Sequence, residues 1–309
     1  MSFYIGVDIG GTKTSVAVFK ENIQCIAEKT FPTKCSLGAL SLVERIADVY
    51  KVLLKENGID ASQIISVGVG CPGPLDISNG KIVYIATMDF KDVPIVKLLS
   101  KALDKPVYLE NDANCAALAE AVLGVGKGMN PVAYITISTG IGCGIVIDGE
   151  ILDGFSDCAG ELGHITVERN GKACPCGKRG CLEMYSSGTA ISKNATEKFG
   201  REISAKELFD LARNGDLKAE EIIFDAVDYL AFGISSLCVT LNPQIVVLGG
   251  SVTKDYDYFK DSLKQSLGKY LQSGVIEKTK FVLSEFDGSQ VLYGAVLNAV
   301  NKEKAKAKN

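Results

Sequence analysis

Three cysteines crowd one short segment, Cys174-Pro175-Cys176-Gly177-Lys178-Arg179-Gly180-Cys181, and the only histidine of the chain, His164, stands shortly before it. Three thiolates and an imidazole make a complete tetrahedral ligand set for zinc, and the Gly/Pro-rich spacing lets one loop fold back around the ion. The competing reading is three free thiols and an incidental histidine, but so dense a thiol cluster without metal would be a redox liability. With every coordination position taken by protein, the zinc is expected to be structural and to anchor its neighbours. Those neighbours are Glu161 and Glu183. Held by a metal loop they suit sugar hydroxyls, and taken alone they read as solvated loop acids.

Two further segments carry chemistry. Asp8-Ile9-Gly10-Gly11-Thr12-Lys13-Thr14 puts backbone N–H groups, a hydroxyl, a lysine and a carboxylate at one glycine turn. That set suits a magnesium-bound polyphosphate, and a bare hairpin turn has the same residues. It is not a Walker A loop, since no Gly-Lys pair is followed by Ser or Thr. Glu110-Asn111-Asp112 closes a short apolar run just before an alanine-rich stretch. Asp112 there can serve either as the N-cap of a helix or as an acceptor for a hydroxyl proton. Gly68-Val69-Gly70-Cys71-Pro72-Gly73 formally fits the dinucleotide fingerprint, but Pro72 and Pro74 interrupt the place where its helix should begin.

The elements that must position these groups read as α/β. Phe3 to Ile9 and Ser15 to Phe19 are apolar runs around the first glycine turn, a β-hairpin. The pattern returns at Val132 to Ser138, Thr139 to Gly144 and Ile145 to Ile147, which suggests an internal duplication. Helical periodicity covers Leu40 to Leu54, Val93 to Leu103, the stretch from Ala113, Leu217 to Leu241, Tyr258 to Tyr270 and Val291 to Val300. Ile64 to Gly70, Val107 to Leu109 and Ile245 to Leu248 read as buried strands, the last ending in Gly249-Gly250. A domain border is expected near Glu110 to Asp112.

Composition excludes some partners. With 309 residues, 47% hydrophobic, the chain can bury a full core. A net charge of -4 argues against nucleic acid or an anionic membrane as main partner, and Lys302, Lys304, Lys306 and Lys308 read as a solvated tail. No apolar run reads as a membrane span and no leader precedes the first strand, so a cytoplasmic location with reduced thiols is expected despite ten cysteines.

Together these segments, with Pro72-Gly73-Pro74 and Glu161-Leu162-Gly163-His164, resemble the ROK family of bacterial sugar kinases and sugar-responsive repressors, in their order and spacing along nearly the whole chain. The resemblance implies a two-lobed, actin-like (ribonuclease H-like) ATPase fold with a five-stranded mixed sheet in each lobe and a cleft between them. It implies lobes of 1–111 plus 291–309 and 112–290, the second carrying the zinc loop 164–181. By resemblance Asp112 is the general base, with Gly73, Asn111, Glu161, His164 and Glu183 around the sugar and His164 serving zinc as well. Asp8, Gly10, Gly11, Thr12 and Lys13 would face phosphate and Mg2+, Thr139 and Gly140 would form a second phosphate loop, and Gly249 and Gly250 would border the adenosine of ATP. A homodimer, sometimes a tetramer, is implied too.

The family's repressors carry a DNA-binding domain ahead of the first phosphate motif, which here begins at residue 8. A hexose kinase is therefore the expected activity, glucose first, then N-acetylmannosamine or N-acetylglucosamine; the alternative is a sugar-binding regulator without turnover. Cys71 to Asp76 and Ile85 to Phe90 depart from the glucokinase pattern and leave the C2 preference open. Cys71, Cys115 and Cys143 lie beside the motifs, so oxidation sensitivity is a further expectation.

Overall fold

The computed structural model describes residues 2–85 and 88–308, so Ala86 and Thr87 of the segment Ile85 to Phe90 lie outside the described residues. The chain begins as a meander: β1 (Phe3–Ile9), β2 (Lys13–Lys20) and β3 (Cys25–Pro32). After α1 (Gly38–Glu56) comes β4 (Ile64–Cys71). A small antiparallel sheet follows from β5 (Leu75–Asp76), β6 (Lys81–Ile85) and β7 (Phe90–Val93), then α2 (Ile95–Leu103), β8 (Val107–Asn111) and α3 (Asp112–Val122). The main sheet has the order β3-β2-β1-β4-β8, antiparallel through the meander and parallel across β1, β4 and β8. Leu42, Val43, Ile46, Ala47, Tyr50, Leu53 and Leu54 fall on one face of α1 and are buried. The second predicted helix starts at Ile95 and not at Val93, because Val93 pairs with Ile82 and Pro94 takes the cap position.

The second unit repeats this plan. β9 (Val132–Ile137), β10 (Ile141–Ile147) and β11 (Glu150–Ile151) form its meander. Four helices follow: α4 (Glu183–Ser186), α5 (Gly188–Phe199), α6 (Ala205–Arg213) and α7 (Leu217–Leu241). Then come β12 (Ile245–Gly249), α8 (Tyr256–Tyr270), α9 (Ser273–Ile276) and β13 (Lys280–Leu283). The order β11-β10-β9-β12-β13 is the order of the first sheet, so the paired hairpins do mark a duplicated architecture. By length and hydropathy α7 could cross a membrane, which corrects the expectation that no segment could. Its apolar stripe is instead buried in the core, from Ala219 and Ile222 through Leu230, Ile234 and Cys238, while Glu220, Glu221 and Asp225 lie along its first turns.

The last helix, α10 (Gln290–Lys308), returns to the first sheet. Leu292, Val296 and Val300 pack with Tyr4, Ala17 and Phe19. The approach is close because Gly68 on β4 lacks a side chain; a Cβ there would collide with the Ala295 carbonyl. Packing thus divides the chain into residues 1–119, 153–159 and 286–309 on one hand and 120–152 and 160–285 on the other. The lysines expected in a solvated tail are instead part of α10: Lys306 lies 4.7 Å from the ring of Tyr108, whose hydroxyl donates to Glu303 at 2.6 Å. Lys302, Lys304 and Lys306 stay exposed to solvent on this helix.

Candidate active site

In the first unit the parallel strands end together. The register sets Asp8 beside Gly70 and Gly70 beside Glu110, so the glycine turn 10–13 and the Glu110-Asn111-Asp112 turn emerge from the same sheet edge. The carboxyl ends of parallel strands are where α/β sheets place ligands. β1 and β8 are two strand steps apart, about 10 Å, which a phosphoryl group and a sugar hydroxyl can fill. Burial, and then the Asp112 carboxylate, push the Asp8 carboxyl up to about 7, while Lys13 pulls it the other way. A divalent cation would relieve the repulsion between these two carboxylates, so the donor set fits Mg2+.

The cap of α3 is Asn111 rather than Asp112. Asn111 Oδ1 accepts the N–H of Ala113 at 2.9 Å and of Asn114 at 3.3 Å, and Asp112 Oδ1 accepts from Ala113 next to it at 2.8 Å. Asn111 also lies against Gly73, where an added methyl would meet its Nδ2 at 3.4 Å. Behind this turn is a group not singled out in the sequence. Glu110 is 1% exposed, and its Oε1 accepts from Asn111 N at 2.8 Å and from Asn114 Nδ2 at 3.0 Å. Burial, then the charge of Asp153, push Glu110 up to about 7.

A carboxyl raised in this way favours the fold fully at pH below its ordinary value, and that contribution is lost as pH rises through about 7. Glu110→Gln keeps an acceptor for both bonds and removes the charge. Its thermal midpoint should match that of the unaltered protein at pH 5 and exceed it by a few degrees at pH 8.5. Scanning calorimetry at the two pH values checks this; equal midpoints at pH 8.5 would count against it.

In the second unit, His164 Nδ1 lies 3.8 Å from Cys174 Sγ, and Cys176 Sγ lies 3.6 Å from Cys181 Sγ. All four ligand atoms fall within 4.8 Å of one another. The edge of a tetrahedron around zinc with sulfur ligands is about 3.8 Å, so the four fit the ion expected from the sequence. The other imidazole nitrogen, Nε2, lies 3.8 Å from Glu161 Oε2, close to the carboxylate but beyond hydrogen-bond distance. Lys178 Nζ donates to the His164 carbonyl at 3.1 Å and ties the loop to the short helical turn Leu162–His164.

Glu183 opens α4, and its Oε2 accepts the N–H of Ile141 at 2.9 Å, against Gly140 in the second glycine turn. The sequence placed Glu183 near a sugar; the structure adds that it braces the turn carrying Thr139. That turn is closed by Ser138 N–H donating to Gly140 O at 2.9 Å. Gly250 has φ of +96°, and a Cβ there would run into the Ile137 carbonyl, so only glycine serves.

A cavity of about 1200 Å³ opens beside these turns, lined by Ser138 and Thr139, by α5 and α6, and by residues 251–255. The sequence reading missed Thr189, Lys193, Glu197 and Phe209 in its lining because it missed α5 and α6, and it missed Lys254 in the short turn Val252–Asp255. Ser204-Ala205-Lys206-Glu207 was the available signal: Ser204 Oγ accepts from Glu207 N at 3.1 Å, the N-terminal mark of α6. Of the cysteines beside the motifs, Cys71, Cys115 and Cys143 are buried, and burial raises all three thiols, Cys143 to about 12. Such thiols are poor nucleophiles, so oxidation sensitivity has no support at these positions.

Comparison with known proteins agrees with this geometry. The model of the ROK family matches residues 4–302. The chain belongs to the ROK family. Among ROK relatives, a glucokinase of Halalkalibacterium halodurans is 35% identical over 295 residues, covering 90% of this chain and 89% of that one. A ROK hexokinase of Thermus thermophilus superposes with a TM-score of 0.86 at 35% identity, over 98% of this chain and 99% of the other. A ROK glucokinase of Streptomyces griseus, solved with glucose and AMPPNP, gives 0.78 at 29% identity, over 96% and 99%. The actin-like ATPase fold expected from the sequence is therefore that of this ROK chain.

Proposed function

We propose that this ROK protein is an ATP-dependent hexose kinase that phosphorylates a free sugar hydroxyl, glucose before N-acetylmannosamine or N-acetylglucosamine. The observation that carries the reading is the common edge of β1, β4 and β8, where Asp112 stands two strands from the Gly10–Lys13 turn. Phosphoryl transfer asks a protein mainly to hold reactants in line and to neutralise charge. Asp112 accepts the proton of the attacking hydroxyl, and Asn111 and Gly73 border the sugar beside it. Glu161, His164 and Glu183 bind further sugar hydroxyls. Gly10, Gly11, Thr12 and Lys13 hold phosphate, as do Thr139 and Gly140, and Gly249 and Gly250 border the adenosine. Mg2+ at Asp8 would shield the phosphate charge when bound. His164, Cys174, Cys176 and Cys181 would hold zinc, which when bound would keep His164 in place beside Glu161. The reading includes a cytoplasmic homodimer, checked by light scattering on the purified protein.

The test is ADP release coupled to a dehydrogenase, with MgATP and glucose, mannose, fructose, allose, N-acetylglucosamine and N-acetylmannosamine offered in turn. Turnover on at least one sugar is expected. Silence across the panel with calorimetric sugar binding intact would replace the kinase by a sugar-binding regulator.

A further inference from the structure

The segment after β3 grips the glycine turn from behind. Every carbonyl from Gly10 to Lys13 has a donor: Thr33 Oγ1 donates to Gly10 O at 2.6 Å and Cys35 Sγ to Gly11 O at 3.1 Å. The backbone N–H of Thr33 donates to Thr12 O at 2.9 Å, and that of Gly10 to Lys13 O at 3.0 Å. Across a trans peptide the carbonyl and the following N–H point in opposite directions. Carbonyls of Gly10 and Gly11 fixed toward 33–35 therefore turn the N–H groups of Gly11 and Thr12 the other way, into the open side of the turn. Oriented backbone N–H groups of this kind form an anion nest.

Thr33 is at the centre of the grip. It is fully buried, and Thr14 Oγ1 lies 2.9 Å from its hydroxyl; since the Thr33 proton goes to Gly10, Thr14 is the donor in that pair. Arg45 of α1 secures the segment from outside: Nη1 donates to Pro32 O at 2.6 Å and Nη2 to Thr33 O, with the guanidinium 5.2 Å from the Phe31 ring. One hydroxyl thus links the glycine turn and the start of β2 to the loop behind them.

We propose that Thr33, with Cys35 beside it and Arg45 behind it, is a positioning residue for the nucleotide: it fixes the 10–13 turn with its N–H groups aimed at the polyphosphate. The proposal rests on the kinase reading. A hydroxyl that only stabilised the hairpin would, on removal, lower the melting temperature and leave nucleotide and sugar constants in their ratio. One that orients the phosphate turn changes the nucleotide constant selectively.

The experiment is calorimetric titration with Mg–AMPPNP, and separately with glucose, of the unaltered protein, Thr33→Val and Thr33→Ser, with circular dichroism as a check of folding. Thr33→Val, equal in shape but without the donor, should bind Mg–AMPPNP roughly tenfold more weakly, with glucose binding within about twofold. Thr33→Ser, which restores the hydroxyl, should return to within about threefold. If Thr33→Val does not fold, Cys35→Ala removes the Gly11 contact at a more accessible position and should weaken Mg–AMPPNP by about threefold. Unchanged nucleotide binding in the variant that folds, or equal losses for nucleotide and glucose, would overturn the proposal alone. If the unaltered protein binds no Mg–AMPPNP, the kinase reading falls and this proposal with it.

Discussion

Asp112→Asn should lower kcat by about a thousandfold while the protein stays folded and keeps its affinity for nucleotide. The substitution is nearly isosteric, and α3 does not depend on it, because Asn111 caps the helix. The amide oxygen of the variant side chain would still accept the Ala113 N–H, as Asp112 Oδ1 does now at 2.8 Å. What disappears is the one feature an amide does not imitate, the capacity to take a proton from the attacking hydroxyl. Losing the charge also removes one cause of the raised Asp8 carboxyl, so the metal-free variant should melt no lower than the original. Steady-state ADP release and a melting curve measure both. A variant that retained more than about a tenth of the turnover would remove Asp112 from the role of base and leave positioning alone to account for catalysis.

Cys176→Ser should release the zinc and weaken the sugar, leaving the nucleotide nearly untouched. Cys176 is exposed, so the exchange of sulfur for oxygen costs little packing of its own, and any large effect runs through the ion. His164 would then lose the partner that fixes its ring, and Glu161, 3.8 Å from Nε2, would lose its anchor. Metal content should fall from about one zinc per chain to near zero. KM for the sugar should rise about tenfold or more, as expected when a supporting shell is loosened. Elemental analysis and kinetics on the same preparation decide the matter. Full zinc with unchanged sugar affinity would show that the fourth ligand is dispensable.

The sequence carried the site wherever a residue type is scarce or a conformation demanding. One histidine and three clustered thiols left few arrangements, and their sulfurs and imidazole do converge. The glycine turns were legible because apolar β-forming runs flank them, and α7 because its stripe repeats over many turns. Other features depend on tertiary context. Whether Asn111 or Asp112 caps α3 depends on backbone angles that neighbouring oxygens cannot reveal in a string of letters. α5 exposes polar residues over most of its surface and buries Ala190, Ile191 and Ala195, too narrow a stripe to stand out. Glu110 was named with its motif but given no role, since only the packing of β8 shows that it is shut off from water. The lysines of α10 were read as a tail because charge density, taken without Tyr108 and Glu303 as neighbours, resembles disorder.

The return of α10 to the first sheet bears on the order in which the chain can mature on the ribosome. Tyr4, Ala17 and Phe19 are made long before Leu292, Val296 and Val300, which cover them. Burying each of those aliphatic side chains stabilises by about 1.5–3 kcal/mol, and none of it is available until α10 has emerged. Residues 160–285 lie wholly within the other unit and can pack with 120–152 as soon as they emerge. Nascent protein should therefore hold a finished second unit while the first still shows a sticky face, a state in which chaperones that shield apolar strands would be most needed.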